Sequence, residues 1–138
     1  MGYLLDTNVL SEVRRPLGDA SVKRWISSIP TEDLYLSVLT LGEVRRGIGL
    51  LGRRDPAQAE VYEALLVTVL RDYADRILPV DAEAAEEWGR MNVPDPVSIV
   101  DGLMAATAKV RNMTFVTRNT ADVTSTGVRL LNPFGSSA

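Results

Sequence analysis

The 138-residue chain contains no cysteine and no histidine. Those two absences exclude disulfide frameworks, thiolate or imidazole zinc sites, cysteine nucleophiles and any Ser-His-Asp or His-His proton relay. Lysine is almost missing too, with only Lys23 and Lys109 against thirteen arginines. No apolar run approaches the roughly 18 residues that a membrane-crossing helix needs. The run Ala64-Leu65-Leu66-Val67-Thr68-Val69-Leu70 is far too short. The N-terminus carries no basic region followed by a small-residue cleavage site, so no export signal is expected and a cytoplasmic location is. What remains for chemistry is carboxylate, hydroxyl, Lys, Arg and Tyr. An enzyme made from these is a carboxylate enzyme, suited to borrowing a hard metal ion.

The residues that are present describe one domain over 1–134, with Gly135-Ser136-Ser137-Ala138 as a loose tail over 135–138. A chain of this length buries roughly two thirds of its unfolded surface, which is core enough without staples. The net charge is −3. Such a balance offers no global attraction to nucleic acid, so any binding must rest on a local patch.

Three short apolar runs read as strands: Tyr3-Leu4-Leu5, Leu34-Tyr35-Leu36 and Thr114-Phe115-Val116. Arg76-Ile77-Leu78 and Val128-Arg129-Leu130-Leu131 are weaker candidates. Between them the 3.6-residue period predicts helices near 8–15, 20–28, 40–52, 56–74, 81–91 and 97–111. Asp55 and Asp81 have the chemistry of N-caps, the former with Pro56 at the favoured first helical position. Strands alternating with amphipathic helices imply a three-layer α/β/α sandwich around a mostly parallel sheet.

In such sheets, ligand sites form beyond the carboxyl ends of the strands. Asp6 stands there after the first strand, and Asn119 and Asp122 follow the Thr114–Val116 strand. Asp and Asn at those places also serve as N-caps, so Asp6 alone decides nothing. Glu43 falls off the stripe Val38, Leu41, Val44, Ile48 and Leu51, and periodicity by itself reads it as solvated. Gly42, Gly47 and Gly49 sit in the same helix at a cost of about 1 kcal/mol each relative to Ala. They suggest close approach of a backbone or a ligand. Asp101 is the one charge in the segment 97–108. A helix that apolar is buried, and a buried carboxylate needs compensation. A capping box with Ser98 explains its position but not the small residues that follow.

Four segments taken in order settle more than any one. Leu5-Asp6-Thr7-Asn8, Thr40-Leu41-Gly42-Glu43-Val44-Arg45-Arg46-Gly47, Asp101-Gly102-Leu103-Met104-Ala105-Ala106-Thr107-Ala108 and Val116-Thr117-Arg118-Asn119-Thr120-Ala121-Asp122 resemble the PIN domain. Within it they resemble the VapC toxins and their FitB-like branch, as does the ending Leu131-Asn132-Pro133-Phe134. The resemblance implies a Mg²⁺- or Mn²⁺-dependent endoribonuclease, the toxin of a type II toxin–antitoxin pair. It assigns Asp6, Glu43 and Asp101 to the metal, and Asn119 or Asp122 to the fourth catalytic position. Thr7, Asn8 and Thr117 become hydrogen-bonding supports. It further implies an RNA substrate, a VapB/FitA-like antitoxin that places an Arg among the carboxylates, and a homodimer.

The arginine skew agrees with phosphate recognition, because guanidinium binds phosphate in two-pronged fashion. Arg45, Arg46 and Arg118 adjoin the motifs, although surface Arg pairs also serve as partners for Asp and Glu. Val61, Leu65, Leu66, Val69 and Leu70 supply an apolar helix stripe that is shared between core and a dimer partner. Convergence of Asp6, Glu43 and Asp101 predicts raised carboxyl pKa values through mutual repulsion. Two rivals remain. A haloacid-dehalogenase-type phosphatase wants Asp where position 8 is Asn, and a Lys near the last motif, where Lys109 comes too early. A PIN-fold binding module without cleavage is left open by the neutral Asn119.

Overall fold

The structure is a computed structural model, described here over residues 2–135. Its strands are β1 (Tyr3–Leu5), β2 (Leu34–Ser37), β3 (Ile77–Leu78), β4 (Thr114–Val116) and β5 (Leu130–Leu131). All pair in parallel, in the spatial order β3-β2-β1-β4-β5. The central β1 meets β2 through Tyr3 opposite Leu34, and meets β4 through Leu5 opposite Val116. Strand order turns around at β1, so the crevice beyond the carboxyl ends of β1 and β4 is where such a sheet binds ligands.

Helices α1 (Thr7–Arg14), α2 (Ala20–Ser27), α3 (Val38–Gly52), α4 (Pro56–Asp72), α5 (Ala82–Met91) and α6 (Ile99–Val110) lie within two residues of the spans expected. Asp55 accepts from the Gln58 N–H at 3.1 Å and Asp81 from that of Ala84 at 2.9 Å, so both caps form. The turn sequence Pro30-Thr31-Glu32-Asp33 leads into β2 through a 3-10 turn at Thr31–Asp33, whereas a four-residue α7 (Thr120–Val123) and a 3-10 turn at Thr124–Thr126 are too short to carry a period and are not expected from the sequence.

The three layers follow from strand alternation. Leu4, Leu78 and Phe115 point to one face, where Met91, Met104, Ala105 and Ala108 of α5 and α6 cover them. Leu5, Leu36 and Val116 point to the other, beneath Val9, Leu10, Val22 and Val69 of α1, α2 and α4. Helix α3 packs along α4, with Leu41, Val44, Ile48 and Leu51 half-buried and Val38 exposed. A Cβ added at Gly42, Gly47 or Gly49 would meet open space, so of the two causes suggested for these glycines, the approach of a backbone is not found among the described residues. On α4, Leu66 and Val69 enter the core while Val61, Val67 and Leu70 stay exposed. Of the tail expected over 135–138, residues 136–138 lie outside the described residues. The Gly135 N–H donates to Asp19 Oδ2 at 3.3 Å.

Candidate active site

Asp6 ends β1 and opens α1. Its backbone N–H continues the sheet by donating to the Val116 carbonyl at 2.8 Å, which fixes the residue between β1 and β4. The carboxylate is 5% exposed. Oδ1 accepts the Thr7 N–H at 2.7 Å, and Oδ2 accepts the Thr117 hydroxyl at 2.7 Å. The capping role and the buried-ligand position therefore coincide in one residue. Thr117 leaves β4 with its own N–H bonded to the Leu131 carbonyl at 3.0 Å, and its hydroxyl accepts from the Asn119 N–H at 3.1 Å.

Glu43 reaches the same crevice from α3. It is exposed, as periodicity suggested, yet it is not solvent-only: its Oε1 lies 2.5 Å from the Thr7 hydroxyl. That hydroxyl lies 3.0 Å from the hydroxyl of Thr40, the residue of α3 that is wholly buried. Thr7 thus touches both acids, Asp6 through its N–H and Glu43 through its side chain.

Asp101 sits in the first turn of α6, half-buried. The capping box does not form, because Ser98 makes no side-chain bond to the helix end. Burial and the neighbouring charge of Asp122 raise the Asp101 carboxyl, and the nearby Ser98 side chain pulls it back. The small residues after Asp101 have a packing cause. A Cβ at Gly102 would stand 3.1 Å from Trp88 Cδ1 and Nε1, and Ala105, Ala106 and Ala108 are fully enclosed. They report burial of α6 rather than chemistry.

Burial is the main force that raises the Asp6 carboxyl above its ordinary pKa. The charges of Asp101 and Glu43 push the same way, and the donors from Thr117 and Thr7 pull back. Asp101 is likewise raised, first by burial and then by Asp122. Repulsion therefore acts at Asp6 from Asp101 and Glu43 and at Asp101 from Asp122 rather than mutually within the expected trio, and in both it ranks behind desolvation. Among the described residues, none of Asp6, Glu43, Asp101 or Asp122 forms an ion pair with Lys or Arg.

Comparison with known proteins decides the family. The PIN-domain model matches residues 3–122. The chain belongs to the PIN-domain family. It is 36% identical to the toxin FitB of Neisseria gonorrhoeae, over 95% of this chain and 97% of that one. It is 31% identical to the VapC ribonuclease Y4jK of Sinorhizobium fredii, over 95% and 96%. A solved structure of FitAB bound to an IR36 DNA fragment superposes with a TM-score of 0.87 at 34% identity, covering 99% of this chain and 98% of that one.

A divalent ion belongs with the PIN fold, and the donor set fits one. The donors are all oxygen, and they leave two raised carboxyls uncompensated. Among the described residues no three carboxylates are drawn tightly enough to hold an ion alone.

The remaining expected residues divide. Asn119 is the N-cap of α7, but its side chain makes no capping bond, and it is exposed beside Asp122. Asn8, expected as a hydrogen-bonding support, has its Oδ1 shut off from solvent with no hydrogen-bond partner among the described residues. It lines a cavity of about 810 Å³ together with Thr40, Leu41, Tyr62, Leu65 and Arg118. Arg118 is exposed, with its guanidinium 4.7 Å from the centre of the Phe134 ring. Arg46 is exposed. Arg45 differs from the other two: it grips Glu63 of α4 with both prongs, one at 2.9 Å, and is committed to joining helices. Sequence reasoning missed Thr40. The signal available was its place one helical turn before Glu43, hence on the same face.

Proposed function

We propose that the crevice is the active site of a metal-dependent endoribonuclease, the toxin of a type II toxin–antitoxin pair. The observation that carries this reading is Asp6: an almost fully buried carboxylate at the sheet's switch point, with acidic neighbours and no cationic partner among the described residues. Such an arrangement is costly unless a cation completes it. FitB and the VapC ribonuclease, the relatives reported above, point the same way.

Asp6, Glu43 and Asp101 would hold Mg²⁺ or Mn²⁺. When bound, the ion supplies positive charge against the phosphodiester and polarises the attacking water. The chain's own residues do the rest. The Thr7 N–H and the Thr117 hydroxyl fix both oxygens of Asp6. Glu43 has one oxygen taken by the Thr7 hydroxyl, which leaves Oε2 to accept a proton from water. Asp122 is the alternative acceptor, and Asn119 offers an amide to orient substrate. Arg46 and Arg118 guide phosphate, whereas Arg45 contributes through α4.

The same reading assigns single-stranded RNA as substrate and the cytoplasm as the place of action. It assigns a VapB/FitA-like antitoxin as partner, in keeping with the solved FitAB structure. An antitoxin Arg placed among the carboxylates would supply the charge they lack. Exposed Val61, Val67 and Leu70 on α4 suit a homodimer. Among the described residues no helix is long and apolar enough to cross a membrane.

The test is cleavage of single-stranded RNA in Mg²⁺ or Mn²⁺, with chelator and Asp6→Asn as controls. Asn caps helices as well as Asp does, so the variant keeps its fold. Both controls are expected to abolish cleavage. Parent-rate cleavage by Asp6→Asn removes the site from this crevice.

A further inference from the structure

We infer that Thr40 is a positioning residue for the RNA-cleaving site, holding Glu43 in place through the Thr7 hydroxyl. The inference rests on Glu43 belonging to the site proposed above.

Proton counting sets the direction of the chain. The Thr7 hydroxyl has one proton and two oxygen neighbours, Glu43 Oε1 at 2.5 Å and Thr40 Oγ1 at 3.0 Å. An ionised carboxylate can only accept, so Thr7 donates to Glu43. Thr40 then donates to Thr7. With its lone pair occupied in this way, the Thr7 hydroxyl has one favourable orientation, toward the carboxylate.

Thr40 uses its hydroxyl differently from threonines deeper in helices, as its place in the first turn of α3 allows: the residue four back, Leu36, lies in β2. A helical threonine ordinarily returns its hydroxyl to the carbonyl one turn earlier. Thr68 does so to Ala64 at 3.2 Å, Thr107 to Leu103 at 2.8 Å and Thr124 to Thr120 at 2.8 Å. Thr40 reaches across to α1 instead, to a residue 33 positions away in sequence. It does so while fully buried, where its hydroxyl has no water to turn to. Glu43 meanwhile is exposed, and one turn further along α3 stands Gly47, which has no side chain to pack on it. The Thr7 hydroxyl is its one hydrogen-bond donor among the described residues. Rigidity is therefore passed from the buried end of the chain to the exposed acid. Outer partners of this kind orient the groups that do the chemistry, and losing one typically costs about 10–100-fold.

The experiment compares Thr40→Val, which keeps the buried shape and removes the hydroxyl, with Thr40→Ser, which keeps the hydroxyl. Cleavage of single-stranded RNA gives kcat and KM. The rise in melting temperature on adding Mn²⁺ gives a readout independent of turnover. Thr40→Val is expected to lower kcat about tenfold with KM little changed, and to shrink the Mn²⁺-induced rise. Thr40→Ser is expected to recover both to within about twofold of the parent. In a Glu43→Gln background, Thr40→Val should change the Mn²⁺ rise no further.

Parent-like kcat in Thr40→Val overturns the inference, and so does an equal drop in the Mn²⁺ rise with and without Glu43. If Thr40→Val fails to fold, Thr7→Val against Thr7→Ser removes the same link from the half-buried side, and a parent-like Thr7→Val again overturns it. The two levels separate cleanly. Full activity in Glu43→Gln sinks the site reading itself, whereas an inactive Glu43→Gln beside a parent-like Thr40→Val sinks the role of Thr40 alone.

Discussion

Helix α6 carries an acid at one end and a base at the other, and the two ends live in opposite surroundings. At the N-terminal end Asp101 faces Asp122 and the buried Asp6, and burial raises both Asp101 and Asp6. At the C-terminal end Lys109 Nζ donates to Glu87 at 2.9 Å and to the Thr126 carbonyl at 2.9 Å, while Arg90 adds a second cation to Glu87 at 3.1 Å. Those hydrogen bonds, from Lys109 first, lower the Glu87 pKa. One end is held together by paired charge and the other holds unpaired charge of one sign. Folding explains the first. It does not explain the second, which fits the proposed site, where a cation would complete it.

The sharpest way to break this comparison is to neutralise one acid at each end. Asp101→Asn is expected to lower RNA cleavage by more than about a hundredfold, beyond the range of an outer partner. Glu87→Gln is expected to leave cleavage at the parent rate. Initial rates on one labelled oligonucleotide in Mn²⁺ decide it. Equal rates for the two variants would mean that the ends do not differ in function.

The same contrast explains what was legible beforehand. Strands buried on both faces, such as Leu4-Leu5 and Phe115-Val116, are bare apolar runs, and amphipathic helices announce their period, so the layers could be read. Asp101 could be singled out as the one charge in an apolar helix, whereas Asp6, at the carboxyl end of a strand, could not be told from an N-cap by its position alone. Glu43 could not be placed by periodicity, because the stripe it avoids packs on α4 while the site lies toward α1. For Thr40 only its place one turn before Glu43 is legible; a threonine in a helix otherwise resembles any other until its partner in α1 is known. Arg45 was assigned to RNA for a related reason. Its partner Glu63 lies 18 residues on, and only the packing of α3 against α4 brings the two together. The glycines could not be told apart in the sequence: a Cβ on those of α3 would meet nothing among the described residues, whereas one on Gly102 would meet Trp88.

That difference among glycines yields the next effect in size. Gly102→Ala gains about 1 kcal/mol of helix propensity but forces a Cβ to 3.1 Å from a stiff indole, and overpacking of this kind costs about 1–3 kcal/mol. A net loss of up to about 2 kcal/mol is expected. Gly47→Ala meets open space within α3, so it should gain about 0.5–1 kcal/mol. Urea unfolding midpoints measure both. A stabilised Gly102→Ala would show that Trp88 yields, and that α6 is not pinned at the end that carries Asp101.

The smallest effect is the most particular to the two ends, because it differs in sign. For Asp6 and Asp101 the folded pKa lies above the unfolded one, so between the two values the native state holds more protons. Their contribution to stability is full below the unfolded pKa and is lost as pH rises through the folded values. For Glu87 the folded pKa lies below the unfolded one. Its contribution is full above the unfolded pKa and is lost as pH falls through the folded value. Metal-free Asp101→Asn should therefore melt a few degrees above the parent at neutral pH, with the gap closing in acid. Glu87→Gln should melt below the parent at neutral pH, and its gap should also close in acid. Mn²⁺ should raise the parent by mass action and raise Asp101→Asn less, while leaving the Glu87→Gln gap where it was. Melting curves at neutral and acidic pH, in chelator and in Mn²⁺, contain all of these comparisons. If Asp101→Asn melts below the parent in chelator at neutral pH, the carboxylate is stabilising where it stands, and the N-terminal end of α6 is no less satisfied than the other.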